Sequence, residues 1–249
     1  MFTTKRQGAL TAASLAALGV MMAGGVEAVA ATHDSNTTMA RPSSKPNDAA
    51  RDAKDRVADA VQTVNQLKQD PQLARELSRA KGVFVIAHYG KGALIVGGQG
   101  GGGVVLARRN GSWTDPAFFS LGGASIGAQA GGEGGSVVLL LMTDKAVNKF
   151  ANSDNTWALN GNAGLTVVTW SGKQQAQAGN GDVIVWTNTN GLYGGLTASV
   201  TDITPDKDMD KAYYGMPIDS QQILTGSVSP SAPNAAPLRG ALTTRVASK

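Results

Sequence analysis

The chain contains no cysteine. Disulfides, thiolate zinc sites, iron–sulfur ligation and a cysteine nucleophile are therefore excluded. Histidine is almost absent, with His33 and His88 alone, so a histidine-rich metal centre is excluded as well. Aromatic residues make up 5% and charged residues 16% of the chain. No stretch interleaves basic residues with aromatics at a stacking spacing, so nucleic-acid binding has no motif behind it. The net charge of +4 is mildly basic and compatible with anionic surfaces. What is plentiful is glycine, 32 of 249 residues, without the Gly-X-Y period of collagen. Such a chain is expected to hold many turns and close backbone approaches. With 42% hydrophobic residues it can bury a sizeable core, in one domain or two small ones.

The ends read differently from the middle. Lys5 and Arg6 precede an uncharged run from Ala9 to Val26, and small residues cluster at Ala28, Ala30 and Ala31. That is the pattern of a secretory signal peptide over residues 1–31. The run is interrupted by Thr11, Ser14 and glycines, and is short for a membrane span. An exported, periplasmic or envelope-associated protein is the expectation. Residues 32–47 are polar, aperiodic and read as a disordered spacer. Residues 227–249 hold Pro230, Pro233 and Pro237 among Ser, Ala and Thr, and read as a disordered tail. One folded domain, residues 48–226, is left.

Within it, Ala50, Ala53, Val57, Ala60, Val61, Val64 and Leu67 form one apolar stripe, predicting a helix over Asp48–Lys68. The stripe is mostly Ala and Val, and the charges are nearly balanced. A membrane-surface helix offers Trp, Phe or Leu and a Lys/Arg-rich face, so this helix is expected to pack on a sheet. Asp70-Pro71 predicts an N-cap and a second helix that ends near Gly82. From Val83 the period changes to strands: Val83–Ala87, Leu94–Val96, Val104–Ala107, Val137–Met142, Leu165–Trp170, Asp182–Thr187 and Leu192–Ile203. Asn110-Gly111 and Asn190-Gly191 are hairpin turn signals. Thr143 can cap a helix through Ala151, and Pro205 leads into a short helix over Asp206–Tyr214. Helices followed by many strands predict an α+β fold. Its N-terminal helices pack on a largely antiparallel, Gly-rich sheet that can curl toward a barrel.

Four motifs resemble catalytic or ligand-binding signatures. Gly123-Ala124-Ser125-Ile126-Gly127 fits a nucleophile elbow, yet a Gly-rich stretch follows instead of a helix, and no His follows Ser125. Gly98–Gly103 fits G-x-G-x-x-G, but a strand follows where a dinucleotide site needs a helix. Asp206, Asp208 and Asp210 open like a calcium loop. Lys211 stands where glycine is required and Pro217 where glutamate is, so a solvated acidic helix turn is expected. Glu133, with Asp144 as a distant second carboxylate, is the one candidate pair for a hydrolase. No metal and no cofactor are expected.

Several segments in series carry a resemblance. Ala80-Lys81-Gly82-Val83-Phe84-Val85-Ile86 leads into Gly92–Gly103, and Asn110-Gly111-Ser112-Trp113-Thr114-Asp115-Pro116-Ala117 follows. Then come Gly127-Ala128-Gln129-Ala130-Gly131-Gly132-Glu133, Val138–Leu141 and Met142-Thr143-Asp144-Lys145-Ala146-Val147. Asn190-Gly191-Leu192-Tyr193-Gly194-Gly195-Leu196 and Tyr213-Tyr214-Gly215 close the series. Together they resemble the SYLF lipid-binding domain family, in its exported bacterial branch, over about Asp48–Gly226. The resemblance implies phospholipid membranes as partner and no enzymatic activity. Eukaryotic relatives add phosphoinositides, and some work with actin. The family often has Ser-Lys-Ser-Lys/Arg before its Gly-Leu-Phe motif. Here Thr187-Asn188-Thr189-Asn190 stands there, without the basic positions. Phosphoinositide specificity is therefore not implied, and with export actin is not expected as a partner.

The residues themselves offer two modes of lipid contact. Trp113, Phe118, Phe119, Leu192 and Tyr193 follow or occupy turns and are expected as apolar tips. Lys91, Arg108 and Arg109 are expected to meet headgroups. A mixed mode with the larger share from apolar tips is the expectation. The rival reading is a structural envelope protein that self-associates through its Gly-rich sheet. The oligomeric state is open.

Overall fold

A mixed sheet carries helices on both faces. The computed structural model describes residues 46–91, 99–122, 135–159, 164–170, 181–188, 203–227, 232 and 234–243. Helices α1 (Pro46–Leu67) and α2 (Pro71–Arg79) precede strands β1 (Gly82–Lys91), β2 (Gln99–Arg109), β3 (Ser112–Trp113), β4 (Ala117–Gly122) and β5 (Gly135–Leu141). Helix α3 (Asp144–Ala151), β6 (Val167–Thr169), β7 (Val183–Thr187) and β8 (Ile203–Pro205) follow. Helices α4 (Lys207–Tyr214), α5 (Ser220–Thr225) and α6 (Ala235–Leu242) complete the described chain. The strand order is β6-β7-β5-β1-β2-β4-β8, with β3 paired to β2. Among the described strands only β6 and β7 run parallel. The α+β expectation holds, but among the described residues the sheet stays open rather than curling into a barrel, with β6 and β8 at its edges.

Period-two alternation sends each strand's side chains to opposite faces. On one face Phe84, Ile86, Phe119, Leu139 and Val185 meet Phe150 of α3 and Leu224 of α5. On the other, Val83, Val85, Phe118, Leu140 and Ile184 meet α1, α2, Tyr213 of α4 and Leu238 of α6. Burial on both sides is why β5 is apolar at every position from Val137 to Leu141.

The local signals are realised one by one. Asp70 Oδ1 accepts from the backbone N–H groups of Gln72 and Leu73, at 2.8 and 3.3 Å, and starts α2. Thr143 Oγ1 accepts from Ala146 and starts α3. Asp206 Oδ1 accepts from Met209 at 3.1 Å and starts α4. Asn110 and Gly111 both take positive φ, 50° and 80°, at the β2–β3 turn. The second helix ends at Arg79 with Ala80 as its C-cap, short of the expected Gly82, which opens β1 instead.

The Gly-rich start of β2 has a packing reason. Gly103 lies beside Phe119 in the β2–β4 register. A Cβ on Gly103 would overlap the Val85 carbonyl oxygen and lie 2.9 Å from Phe84 Cε2. The bare backbone leaves room for a T-shaped aromatic cluster: Phe84–Phe150 at 5.5 Å, Phe119–Phe150 at 5.3 Å and Phe150–Trp157 at 5.0 Å. From Gln99 to Gly103 the G-x-G-x-x-G match is strand, and Gly98 lies outside the described residues.

One boundary needs correction. Residues 227–249 were expected as a disordered tail, but Ala235–Leu242 forms α6, with Ala235, Leu238 and Leu242 fully buried. Two leucines four residues apart form one apolar helix face, and α1 supplies the surface that receives it. Among the described residues no helix is long and apolar enough to cross a membrane.

Candidate functional site

The antiparallel registers separate the expected lipid-binding residues into groups that cannot form one site. Lys91 pairs with Gln99, while Arg108 and Arg109 stand at the opposite end of β2. At 3.2–3.4 Å per residue those ends are about 33 Å apart. Leu192 and Tyr193 lie outside the described residues, as do Ser125, Glu133 and the second hairpin turn. Phe118 and Phe119 are fully buried, on opposite faces of the sheet, and Trp113 is 7% exposed. They are core residues, not apolar tips. A turn signal places a residue near a loop but says nothing about which layers close over it. Among the described residues Met216 is the exposed large hydrophobic.

What does come together is a basic rim where β1 begins and β2 ends. Arg108 Nη1 donates to the Ser78 carbonyl at 2.6 Å, and its guanidinium stacks 4.6 Å from the Trp113 ring centroid. Burial lowers the Arg108 pKa from its ordinary high value, and an arginine remains cationic at physiological pH. Arg109 Nε donates to the Leu224 carbonyl at 3.0 Å, which satisfies one of the last carbonyls of α5. Both arginines are tied to backbone, which fixes their direction. Around them Arg75, Arg79 and Lys81 are exposed. The Lys81 carbonyl accepts from the Arg108 backbone N–H at 2.7 Å, so the two residues are immediate neighbours. Glu76 tempers the charge through a 3.4 Å contact with Arg79, and Asp144 lies exposed just beyond the end of β5. The sequence offers Arg108 and Arg109 as expected headgroup contacts. It does not offer Arg75 and Arg79, because only the fold of α2 onto the sheet brings them to the same end.

A second polar centre is buried. Asp210 of α4 is 0% exposed. Its Oδ1 accepts from the Phe118 backbone N–H at 2.9 Å, pinning α4 to β4. Its Oδ2 is sealed beside Ser220 without a hydrogen bond of good geometry. Burial pushes the Asp210 pKa up to about 8, and the Asp206 and Asp219 carboxylates add to the rise. The expectation of a solvated acidic turn therefore fails for Asp206 and Asp210, both buried, and holds for Asp208. Among the described residues no group of three or more His, Asp or Glu is placed to hold a metal.

Asp210 has a consequence for stability. Its folded pKa lies above the unfolded value, so between those two values the folded state binds more protons. Stability then falls as pH rises from about 4 to about 8, and levels off beyond. Asp210→Asn keeps the acceptor for Phe118 and removes the titration. Urea unfolding between pH 5 and 9 is expected to show a flatter pH dependence for the variant. Parallel curves for the two proteins would count against a protonated Asp210.

Known proteins resemble this chain over much of its length. The Ysc84 family, described as "Las17-binding protein actin regulator", matches residues 122–245. The chain is 30% identical over 158 residues to "Protein YSC84" of Saccharomyces cerevisiae, covering 61% of this chain and 33% of that protein. It is 29% identical over 160 residues to "LAS seventeen-binding protein 3" of the same species, covering 62% and 34%. With "SH3 domain-containing YSC84-like protein 1" of Rattus norvegicus it shares 28% identity over 159 residues, 62% of this chain and 46% of that protein. The chain thus spans between a third and a half of the length of these relatives. Family match and relatives agree: the chain belongs to the Ysc84/SYLF domain family.

Proposed function

We propose that this domain binds the surface of anionic phospholipid membranes through its basic rim. The observation that carries the reading is the placing of Arg75, Arg79, Lys81, Arg108 and Arg109 at one end of the sheet, with Arg108 anchored to the backbone of α2 and Arg109 to that of α5 on the opposite face. Each cation near an anionic leaflet contributes about 1 kcal/mol. Because Trp113, Phe118 and Phe119 are buried, the larger share of binding comes from charge and not from apolar insertion. Reversing the three exposed cations (Arg75→Glu, Arg79→Glu, Lys81→Glu) is expected to weaken co-sedimentation with phosphatidylserine-containing vesicles by about tenfold or more. The difference should vanish near 1 M salt, where the Debye length is about 3 Å. Wild-type binding that ignores salt, or variant binding that matches wild type, would overturn the rim as the contact.

A non-enzymatic role accords with a family described by binding and regulation. The same description, and relatives named as Las17-binding, remove the ground for dismissing actin as a partner. Co-sedimentation with filamentous actin tests that second reading directly. Self-association through the Gly-rich sheet is less supported. The glycines of β2 lie between β1 and β4, and helices cover both faces among the described residues.

An exported, envelope-associated protein remains our reading of residues 1–31. N-terminal sequencing of protein recovered from cells should begin at residue 31 or 32. A chain that still begins at Met1 would refute export by cleavage.

A further inference from the structure

Helix α6 packs on α1 and closes over a surface whose other layers belong to α2, α4 and the sheet. It has eight residues, with Pro237 and Gly240 inside it, and its N-cap Asn234 makes no side-chain hydrogen bond. Gly is poor in a helix interior, whereas Pro237 sits in the first turn where Pro is tolerated, and an isolated helix this short is unstable in water. The body therefore holds α6 in shape. Its attachments are the apolar side chains of Ala235, Leu238 and Leu242, an Arg239–Asp115 ion pair, and a 2.6 Å hydrogen bond from Lys68 Nζ to the Ala241 carbonyl. The Asn234 backbone faces the Tyr213 hydroxyl. The cluster beneath is built from α1, α2, α4 and the sheet, and α6 adds only Leu238 and Leu242 to its buried members. Asp115 lies two residues after Trp113, whose ring carries Arg108 of the basic rim. The seat of α6 is thus apolar, aromatic at Tyr213 and adjacent to the rim.

We propose that α6 is a releasable strap whose departure uncovers the apolar surface of α1 and α4, beside the basic rim, for contact with the membrane. The inference rests on the membrane reading above. It supplies the apolar component that the fully closed domain lacks among its described residues. Charge brings the rim to the surface, and the uncovered seat then gains apolar contact that a neutral surface alone would not draw out. Release is local because the remaining cluster keeps its own layers.

Hydrogen exchange of the full chain tests this. Without vesicles, amides of 238–242 should exchange at least tenfold faster than those of Val83–Ile86, through an opening smaller than global unfolding. Exchange of α6 only at the global rate overturns the strap. With phosphatidylserine-containing vesicles, α6 exchange should accelerate further while β1 stays protected. If the protein co-sediments with the vesicles and α6 protection is unchanged, the strap is overturned and the membrane reading survives. If α6 opens but neither wild type nor Leu238→Ser/Leu242→Ser binds vesicles, the membrane reading fails, and with it the purpose given to release. The leucine variant is expected to bind such vesicles severalfold more tightly. Should it fail to fold, the exchange experiment on wild type still decides.

Discussion

Phe119→Ser is expected to cost most of the stability of this domain. The side chain is fully buried and meets Phe150 at 5.3 Å and Phe84 at 6.2 Å in edge-to-face contacts. Truncating a buried Phe costs about 3–5 kcal/mol. A serine hydroxyl left without a partner adds about 1–3 kcal/mol. Against a total near 5–15 kcal/mol, the variant sits at the edge of unfolding. Phe118→Ser should behave alike, since Phe118 packs 5.1 Å from Tyr213 on the other face. Denaturant unfolding followed by circular dichroism reads the effect. Loss of vesicle binding in these variants would then report unfolding and not a lost membrane contact. A variant that kept the wild-type midpoint but lost binding would return these residues to the surface.

Gly103→Val is expected to be comparably severe. Its Cβ has no place to go: the Val85 carbonyl oxygen overlaps it, and Ile86 Cγ1 lies 2.8 Å away. Overpacking costs about 1–3 kcal/mol, occasionally more, when side chains can shift. Here a backbone carbonyl in the central β1–β2 pair must move as well, so about 3 kcal/mol or more is expected. Gly111→Ala is the control, because it lies in open space and strains only the positive φ of the turn. That costs about 1–2 kcal/mol. Equal midpoints for the Gly103 variant and wild type would mean that β1 and β2 do not approach as described.

Much of the fold was legible because it is local. The stripe from Ala53 to Leu67, the Asp70 and Thr143 caps, and the Asn110-Gly111 turn each act within a few residues. The unbroken apolar run of β5 signalled a strand, and both of its faces are buried. What failed was accessibility. Phe118 and Phe119 sit just after a turn signal, and nothing local tells whether helices close over a strand. Asp206 and Asp210 look like an acidic helix start, and only α4 packing against β4 buries them. Leu238 and Leu242 look like part of a Pro-rich tail until α1 offers them a seat.

The sequence by itself determined the α+β class, most helix and strand positions, and the ordered motifs of the family, because propensity, capping and periodicity act over short distances. The tertiary structure alone decided which residues share a surface. It split Lys91 from Arg108 by the length of a strand and joined α2 and Lys81 to Arg108. It also turned the expected apolar tips into core. Burial and charge convergence depend on residues distant in the chain, and no local pattern encodes them.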